Sequence, residues 1–540
     1  MINNRTTHIS IVLLILFLGF NSNAQNRFQK TFGGAVLDWS NSVIQTNDSN
    51  YVLLGSTKNF GAGMQDILLI KTNTSGDTLW SSALGLPPGD EEGATVQQTS
   101  DGGFIITGTT WSTGAGGDDF ILIKTNASGV VDWSRTYGGA NVDFCTGGQP
   151  CFDGGYVLSG YTTSYGAGGA DMYVIRTNAA GDTLWTRTIG NNGPDYAYSI
   201  AQTSDSGFVL TGSFTVSGND DMALVKLDAS GSLMWAKVIG DSADEVGYSV
   251  IQSADGGYCI AGSTLSFGNG NMDGFMAKTD DTGTLLWTQA FGTSDSDLFY
   301  CVKPLNDGTG YVATGYANRQ GSAHDDLILL KTDLNGAIVW SSVMGGTTAG
   351  RDVGRYVFET WDGSFLVSGF TQSFGGGTEA YFIKTDSQGS AGCNIINVVV
   401  SAVAVPAGVT TIFPVVKAGT TITIPIVSTG SAPVNNNTLC VSTNIFSSPV
   451  LLSGMLIEPN PMTSQTQVIL SGIKNINLQL NLVDITGKEV VTLQSADAII
   501  ADETIRFSIN RENLIAGIYF IRITDSKTNL VATGKLVIQQ

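Results

Sequence analysis

The stretch Lys124–Gly139, KTNASGVVDWSRTYGG, decides the fold, because the chain repeats it. A basic residue stands nine positions before a tryptophan at Lys71/Trp80, Lys124/Trp133, Arg176/Trp185, Lys226/Trp235, Lys278/Trp287 and Lys331/Trp340. The intervals between these tryptophans are 53, 52, 50, 52 and 53 residues. A fixed period of this length marks an array of supersecondary units. A seventh copy opens at Lys384 and carries Cys393 in the tryptophan position.

Each repeat around that stretch holds four short β-like runs. The first follows an acidic residue, as in Asp195–Thr203. The second begins with an aromatic residue and ends at glycine, as in Phe104–Gly108 and Tyr156–Gly160. The third ends at the basic residue, as in Asp119–Lys124, and the fourth carries the tryptophan. Asp-Gly-Gly at 101–103, 153–155 and 255–257 joins the first run to the second. Asp-Gly between two apolar runs is a hairpin signal, because glycine reaches positive φ without strain. Four antiparallel strands repeated seven times predict an all-β chain with a seven-bladed β-propeller over residues 25–393.

The N-terminal segment Phe28-Gln29-Lys30-Thr31-Phe32-Gly33-Gly34 aligns with Trp133–Gly139. It is a spare fourth strand, and the seventh repeat lacks one after Cys393. The expectation is that the N-terminal strand completes the seventh blade, with Phe28 in the tryptophan slot. Closure of this kind removes open sheet edges. It also places the acid-led run innermost and the tryptophan run outermost.

The 540-residue chain has 68 glycines, 13% charged residues and a formal net charge of −20. With that balance no basic stripe is available to neutralise phosphates, so a nucleic-acid partner is excluded. Residues 1–24 read as a secretory signal peptide: Arg5, the apolar run Ile11–Phe20, and small residues Ser22 and Ala24 before the cut. No other segment reaches the ~20 apolar residues of a transmembrane helix. Export permits disulfides. The candidate pairs are Cys145 with Cys151 and Cys393 with Cys440, with Cys259 and Cys301 as a third, and connectivity stays open.

Residues 394–450 are rich in Val, Thr, Ile and Ser, with alternation at Thr420–Ile424, and read as a β-rich connector. Residues 451–540 form a different β module. The segment Ile457-Glu458-Pro459-Asn460-Pro461 is followed by Asn481–Val490, containing Gly487. Leu514–Ile523, with Gly517 and Tyr519, comes next, and Lys535–Gln539 last. This ordered set resembles the C-terminal sorting domain of the type IX secretion system of Bacteroidetes, although Ile-Glu replaces the usual aromatic residue ahead of Pro459. The resemblance implies a seven-stranded Ig-like sandwich and the type IX machinery as partner. It also implies passage through the outer membrane, then removal of the domain with release of the protein or its attachment to the cell surface. The propeller likewise resembles Gly-rich repeat proteins of such bacteria.

Two sets of acids recur. One opens the first strand of each repeat, including Asp38, Asp143 and Asp195. The other opens the third strand, including Asp66, Asp119 and Asp171. Strand directions put both sets on one face. One reading is a carboxylate-lined face that takes Ca²⁺, a cation held by several oxygens. The other is that each acid caps the backbone N–H groups of its own turn. Trp39, Trp111 and Trp361 break the repeat, and the first two fall on the same face in neighbouring blades, where aromatic rings stack on sugars or a protein partner. No zinc spacing, metalloprotease motif or nucleophile elbow occurs. The reading is therefore an exported propeller with a binding or structural role. The alternative is a polysaccharide hydrolase using carboxylates of the acidic face.

Overall fold

The computed structural model describes residues 26–443 and 455–538, apart from short internal segments. The signal peptide over 1–24 lies outside the described residues. The chain divides into two compact units, Met1–Thr443 and Asn444–Gln540. The expected propeller and residues 394–443 of the expected connector fall together in the first, and residues 444–450 fall in the second.

That unit is a seven-bladed β-propeller. The blades begin at Asp38, Glu91, Asp143, Asp195, Glu245, Asp297 and Asp352, with four antiparallel strands from the axis outward, in chain order in the first six blades. The nine-residue spacing from basic residue to tryptophan is a hairpin register. Lys71 lies opposite Trp80, Lys124 opposite Trp133, Arg176 opposite Trp185 and Lys226 opposite Trp235. The turn between them is set by Asn or Asp. Asn126 Oδ1 accepts from the N–H groups of Ser128 and Val130, and Gly129 takes φ +77°. The buried basic residue then reaches the first hairpin of its own blade. Lys124 Nζ is 2.8 Å from Asp101, Lys226 Nζ 2.9 Å from Asp205 and Lys278 Nζ 2.9 Å from Asp255.

Each tryptophan packs on the next blade. Ring centroids are 6.1 Å apart for Trp80/Phe104, 6.2 Å for Trp133/Tyr156, 5.8 Å for Trp185/Phe208 and 5.6 Å for Trp340/Phe365. The aromatic at the head of the second strand in blades two to seven is therefore the partner of the preceding tryptophan. The turn glycine of the next blade lies under the same ring. A Cβ built on Gly129 would stand 2.6 Å from Trp80. Cores form between neighbouring sheets, because no single blade can bury both of its faces. One such core joins Val157, Met172 and Val174 of the third blade to Leu210, Ala223 and Val225 of the fourth.

The closure expected from the N-terminal motif is present. The strand Asn26–Gly33 pairs with Glu379–Lys384 and places Phe28 opposite Lys384. Phe28 is fully buried and packs 4.9 Å from Phe382 and 6.5 Å from Tyr51 of the first blade.

The outer strands differ from expectation. The tryptophan strand is not outermost, because residues 395–443 run back around the ring and add a fifth strand to six blades. Ile395–Ile396 pairs with the sixth blade, Ser401–Ala404 with the fifth, Gly408–Ile412 with the fourth and Val415–Lys417 with the third. Ser428–Ser431 then pairs with the first blade, and Asn435–Thr443 with the N-terminal strand in the seventh. The second blade has four strands among the described residues. The belt strands start 6, 7, 7, 13 and 7 residues apart (395, 401, 408, 415, 428, 435), so the step nearly doubles where the second blade is passed. Thr420–Ile424 falls in that step, outside the described residues. Val, Thr and Ile suit a strand that pairs on one edge and packs on one face. A belt that satisfies outer-edge backbone groups blunts the ring against edge-to-edge association.

The second unit holds two four-stranded sheets. One is ordered Met455–Glu458, Gln465–Ser471, Thr504–Asn510, Ile499–Ala501. The other is ordered Glu489–Gln494, Leu478–Asp484, Gly517–Asp525, Leu530–Ile538. They share a core that includes Val468, Leu480, Phe507, Tyr519, Ile521 and Leu536. Eight strands are described where the resemblance implied seven. Of the sorting-motif residues, Pro459, Asn460, Pro461 and Gly487 lie outside the described residues. Gly517 begins a strand, Tyr519 is buried opposite Asp484, and Lys535 pairs with Phe520. Among the described residues no helix is long and apolar enough to cross a membrane.

Candidate functional site

The innermost strands line the axis, and each contains the same irregularity. Register shifts by one residue between its third and fifth positions in all seven blades. The residues left unpaired are Asn41, Ala94, Thr146, Tyr198, Tyr248, Tyr300 and Arg355. A β-bulge of this kind re-aims a side chain. Here it re-aims one per blade toward the axis, and all seven line one central cavity of about 330 Å³.

The ring is asymmetric. Tyr198 and Tyr248 are 5.1 Å apart, and Tyr248 and Tyr300 5.3 Å, both pairs tilted. Ring contacts continue through Tyr196, Tyr161 and Phe144 as far as Trp111. The Arg355 guanidinium lies 4.1 Å from the Tyr300 ring centroid and 5.8 Å from that of Phe370. Lys303 Nζ lies 4.5 Å from the centre of Tyr356. Glu92 is the single carboxylate among the lining residues. Burial raises its pKa above the ordinary value, against the opposing pull of Arg355, Asn41 and Trp39. The wall thus offers aromatic faces over one arc, and a cation and a carboxyl group on either side of Asn41.

Of the tryptophans outside the repeat, Trp39 and Trp111 belong to the first and second blades, and Trp111 ends this series of rings. Trp111 is 40% exposed and meets Phe144 edge-on at 6.0 Å. Trp39 is half-buried near Glu92. They make no ring contact with each other among the described residues. The bulge ring was not read from the sequence. The signal was available as Tyr-Ala-Tyr at 196–198 and as isolated tyrosines at 248 and 300, each sited where the other repeats carry an unrelated residue.

The acids Asp38, Asp66, Asp119, Asp143, Asp171 and Asp195 are elsewhere, fully buried at the blade junctions. They act on backbone. Gly34 N–H donates to Asp38 at 2.8 Å, Gly139 N–H to Asp143 at 2.6 Å and Ala115 N–H to Asp119 at 2.8 Å. The two sets meet in pairs across a glycine. A Cβ on Gly138 would stand 1.8 Å from Asp119 Oδ1 and 2.8 Å from Asp143 Oδ2, and Gly190 stands likewise between Asp171 and Asp195. The glycine Cα–H therefore fills the space in front of the carboxylate oxygen, a weak but recurrent contact. Burial drives Asp119 and Asp195 up to about 6 and Asp297 up to about 7, with the neighbouring carboxylate adding to each. No group of three or more His, Cys, Asp or Glu able to hold a metal comes together among the described residues. The Ca²⁺ reading of these acids therefore gains no ligand set, and their geometry is that of turn caps.

The cysteine expectations are corrected in part. Cys145, Cys151, Cys259 and Cys301 are buried free thiols, so neither Cys145/Cys151 nor Cys259/Cys301 is bridged. Cys145 lies on an inner strand facing Thr109 of the second blade, and Cys151 starts the following turn, so the bend between them separates the thiols. Cys393 is disulfide-bonded. The remaining cysteine, Cys440, lies opposite Gln29 on the last belt strand, and the Gln29 amide donates to Cys393 O at 2.6 Å.

Seven bladed sheets, a bulge-lined axis and a separate β module define an exported β-propeller protein. Residues 457–539 match the family of secretion system C-terminal sorting domains. That tail places the chain in the type IX export route of Bacteroidetes, ending in secretion or attachment to the cell surface. No curated protein matches the chain. Among solved structures, Sqt1 from Chaetomium thermophilum is similar at 10% identity, covering 67% of this chain and 99% of that one, with a TM-score of 0.37.

Proposed function

We propose that the propeller is a saccharide-binding module and that its site is the central cavity ringed by the seven bulge residues. The observation that carries this reading is the contrast between scaffold and ring. The first strand opens with an acid in every blade, yet its bulge residue changes from Asn to Ala, Thr, Tyr, Tyr, Tyr and Arg. A position that only closed the ring would repeat. Half-buried tyrosines suit sugars, with an apolar ring for the sugar face and a hydroxyl for its edge. A cavity of about 330 Å³ falls at the lower end of small-ligand sites.

What supports binding over hydrolysis is the single carboxylate, Glu92, in the lining. Glycosidase chemistry uses two carboxyl groups flanking the bond. The close acid pairs of this protein stand behind glycines at the blade junctions instead. The tail and its resemblance support delivery by the type IX machinery, with the propeller left outside the cell. A saccharide array probed with the mature chain, the Tyr198→Ala/Tyr248→Ala variant and the Trp39→Ala/Trp111→Ala variant tests the reading. Loss of signal is expected in the tyrosine pair. Binding that survives there and vanishes in the tryptophan pair would move the site to the outer sector.

A further inference from the structure

We infer that the ligand of this cavity is anionic, a sugar bearing a carboxylate, held by Arg355 and Lys303; the inference rests on the saccharide reading above. It starts from how this chain treats its other cations. The net charge is −20, and the buried basic residues of the blades are answered by acids: Lys124 by Asp101, Arg176 by Asp153, Lys226 by Asp205, Lys278 by Asp255 and Lys384 by Asp362. Arg355 and Lys303 are half-buried and, like Arg135, Arg187 and Lys237, have no such acid among the described residues; they differ from those three in lining the cavity. Neither forms an ion pair among the described residues, and both line the cavity.

Arg355 is also incompletely hydrogen-bonded. Its Nε is buried without a partner, and its guanidinium carbon lies over the rings of Tyr300 and Phe370. A guanidinium is a planar fork of N–H donors that takes a carboxylate in two parallel bonds. Lys303 is a point charge on the same wall, held over Tyr356. Two cations against Glu92 leave the lining net positive inside a strongly negative protein. A low-dielectric wall concentrates that field toward an anion. A free sulfate or phosphate would satisfy the cations alone. The tyrosine arc beside Arg355 adds a face for the ring that carries the acid, which favours a uronic-acid type of sugar.

The test is calorimetric titration of the mature full-length protein with D-glucuronate, D-glucose, sodium sulfate and a glucuronate-ended oligosaccharide. Glucuronate is expected to bind at least tenfold more tightly than glucose. Arg355→Gln should weaken it tenfold or more, and Lys303→Gln should weaken it to a smaller degree. Arg355→Lys should keep more affinity than Arg355→Gln, and a thermal melt of each variant reports folding. The oligosaccharide arm separates a polymer end from a free sugar as the source of the acid. Equal binding of glucose and glucuronate, lost in Tyr248→Ala but unchanged in Arg355→Gln, overturns the charge inference and leaves the saccharide site standing. Sulfate binding with no sugar binding, or no binding at all, overturns both.

Discussion

Substituting Phe28 tests how the ring is held shut. Phe28 is fully buried and contacts Phe382 of its own blade and Tyr51 of the next. A Cβ on Gly76 would stand 2.8 Å from its ring, so Phe28 also roofs the next turn. The matching tryptophans are only half-buried. The reason is the belt. On the fourth blade it covers Ala236–Gly240 and stops short of Trp235, whereas on the seventh it covers the whole of Asn26–Gly33. Removing a buried phenylalanine leaves both a transfer loss and a cavity, together about 3–5 kcal/mol. At ~1.4 kcal/mol per tenfold, opening of the seventh blade in Phe28→Ala should become roughly two to three and a half decades more populated. Native-state hydrogen exchange reads this directly. Amides of 26–33 and 380–384 should speed up by that factor while those of the fourth blade hold. A change below about fivefold at 26–33, or equal acceleration in every blade, would refute closure by this strand.

Four further outcomes follow from the same geometry. Gly129→Ala should destabilise the second blade by about 1–3 kcal/mol, because the position needs φ +77° and a methyl group there meets Trp80, and chemical unfolding would measure it. Thermal midpoints should fall as pH rises from 5 to 8. Asp119, Asp195 and Asp297 have folded pKa values raised to about 6, 6 and 7, so their contribution is complete below the unfolded carboxyl value and is lost as pH passes the folded one. Midpoints should also fall below pH ~4. There the hairpin acids Asp205 and Asp362, held down to about 2 by hydrogen bonds from Thr203, Lys226 and Lys384 that outweigh burial, take up protons. A midpoint flat between pH 5 and 8 would contradict the junction-acid account. A thiol reagent should leave the native protein unlabelled and find four thiols after denaturation without reductant, since Cys145, Cys151, Cys259 and Cys301 are free and buried.

How much of this was legible depends on what kind of signal each element leaves. The blades were legible because a hairpin register fixes the distance from Lys124 to Trp133, and any insertion there would break the pair. Closure was legible because Phe28–Gly34 repeats a motif out of place. The belt was not read, although its strand starts step by about seven residues from 395. Its partners are backbone groups of outer strands, which impose alternation and turn spacing but no side-chain motif. The cysteine pairs failed for a related reason: proximity in sequence at 145 and 151 said nothing about opposite ends of a strand and its turn. The cavity was hidden by the bulge. One added residue breaks period-two alternation, so Tyr198, Tyr248 and Tyr300 read as ordinary inner-strand residues when they are the ones turned to the axis.

The same bulge explains how a repeat built for closure carries an asymmetric site. Positions on either side of it are bound by neighbours. Ser42, Ser199 and Ser249 accept from backbone N–H groups of Val96, Val250 and Val302 in the next blade, which locks each inner strand to its neighbour. At the strand end Gln98, Gln202 and Gln252 accept from N–H groups of Asn47, Phe152 and Ser204 in the preceding blade. Changing those residues would loosen a junction. The bulge residue between them makes no ladder pair, so its side chain varies without altering register. Seven such positions around one axis form a ring whose chemistry is set blade by blade. Arg355 beside three tyrosines is thus a local choice at a position outside the ladder, and Arg355→Gln should remove ligand affinity while costing the propeller no more than the ring contacts with Tyr300 and Phe370, about 0.5–2 kcal/mol.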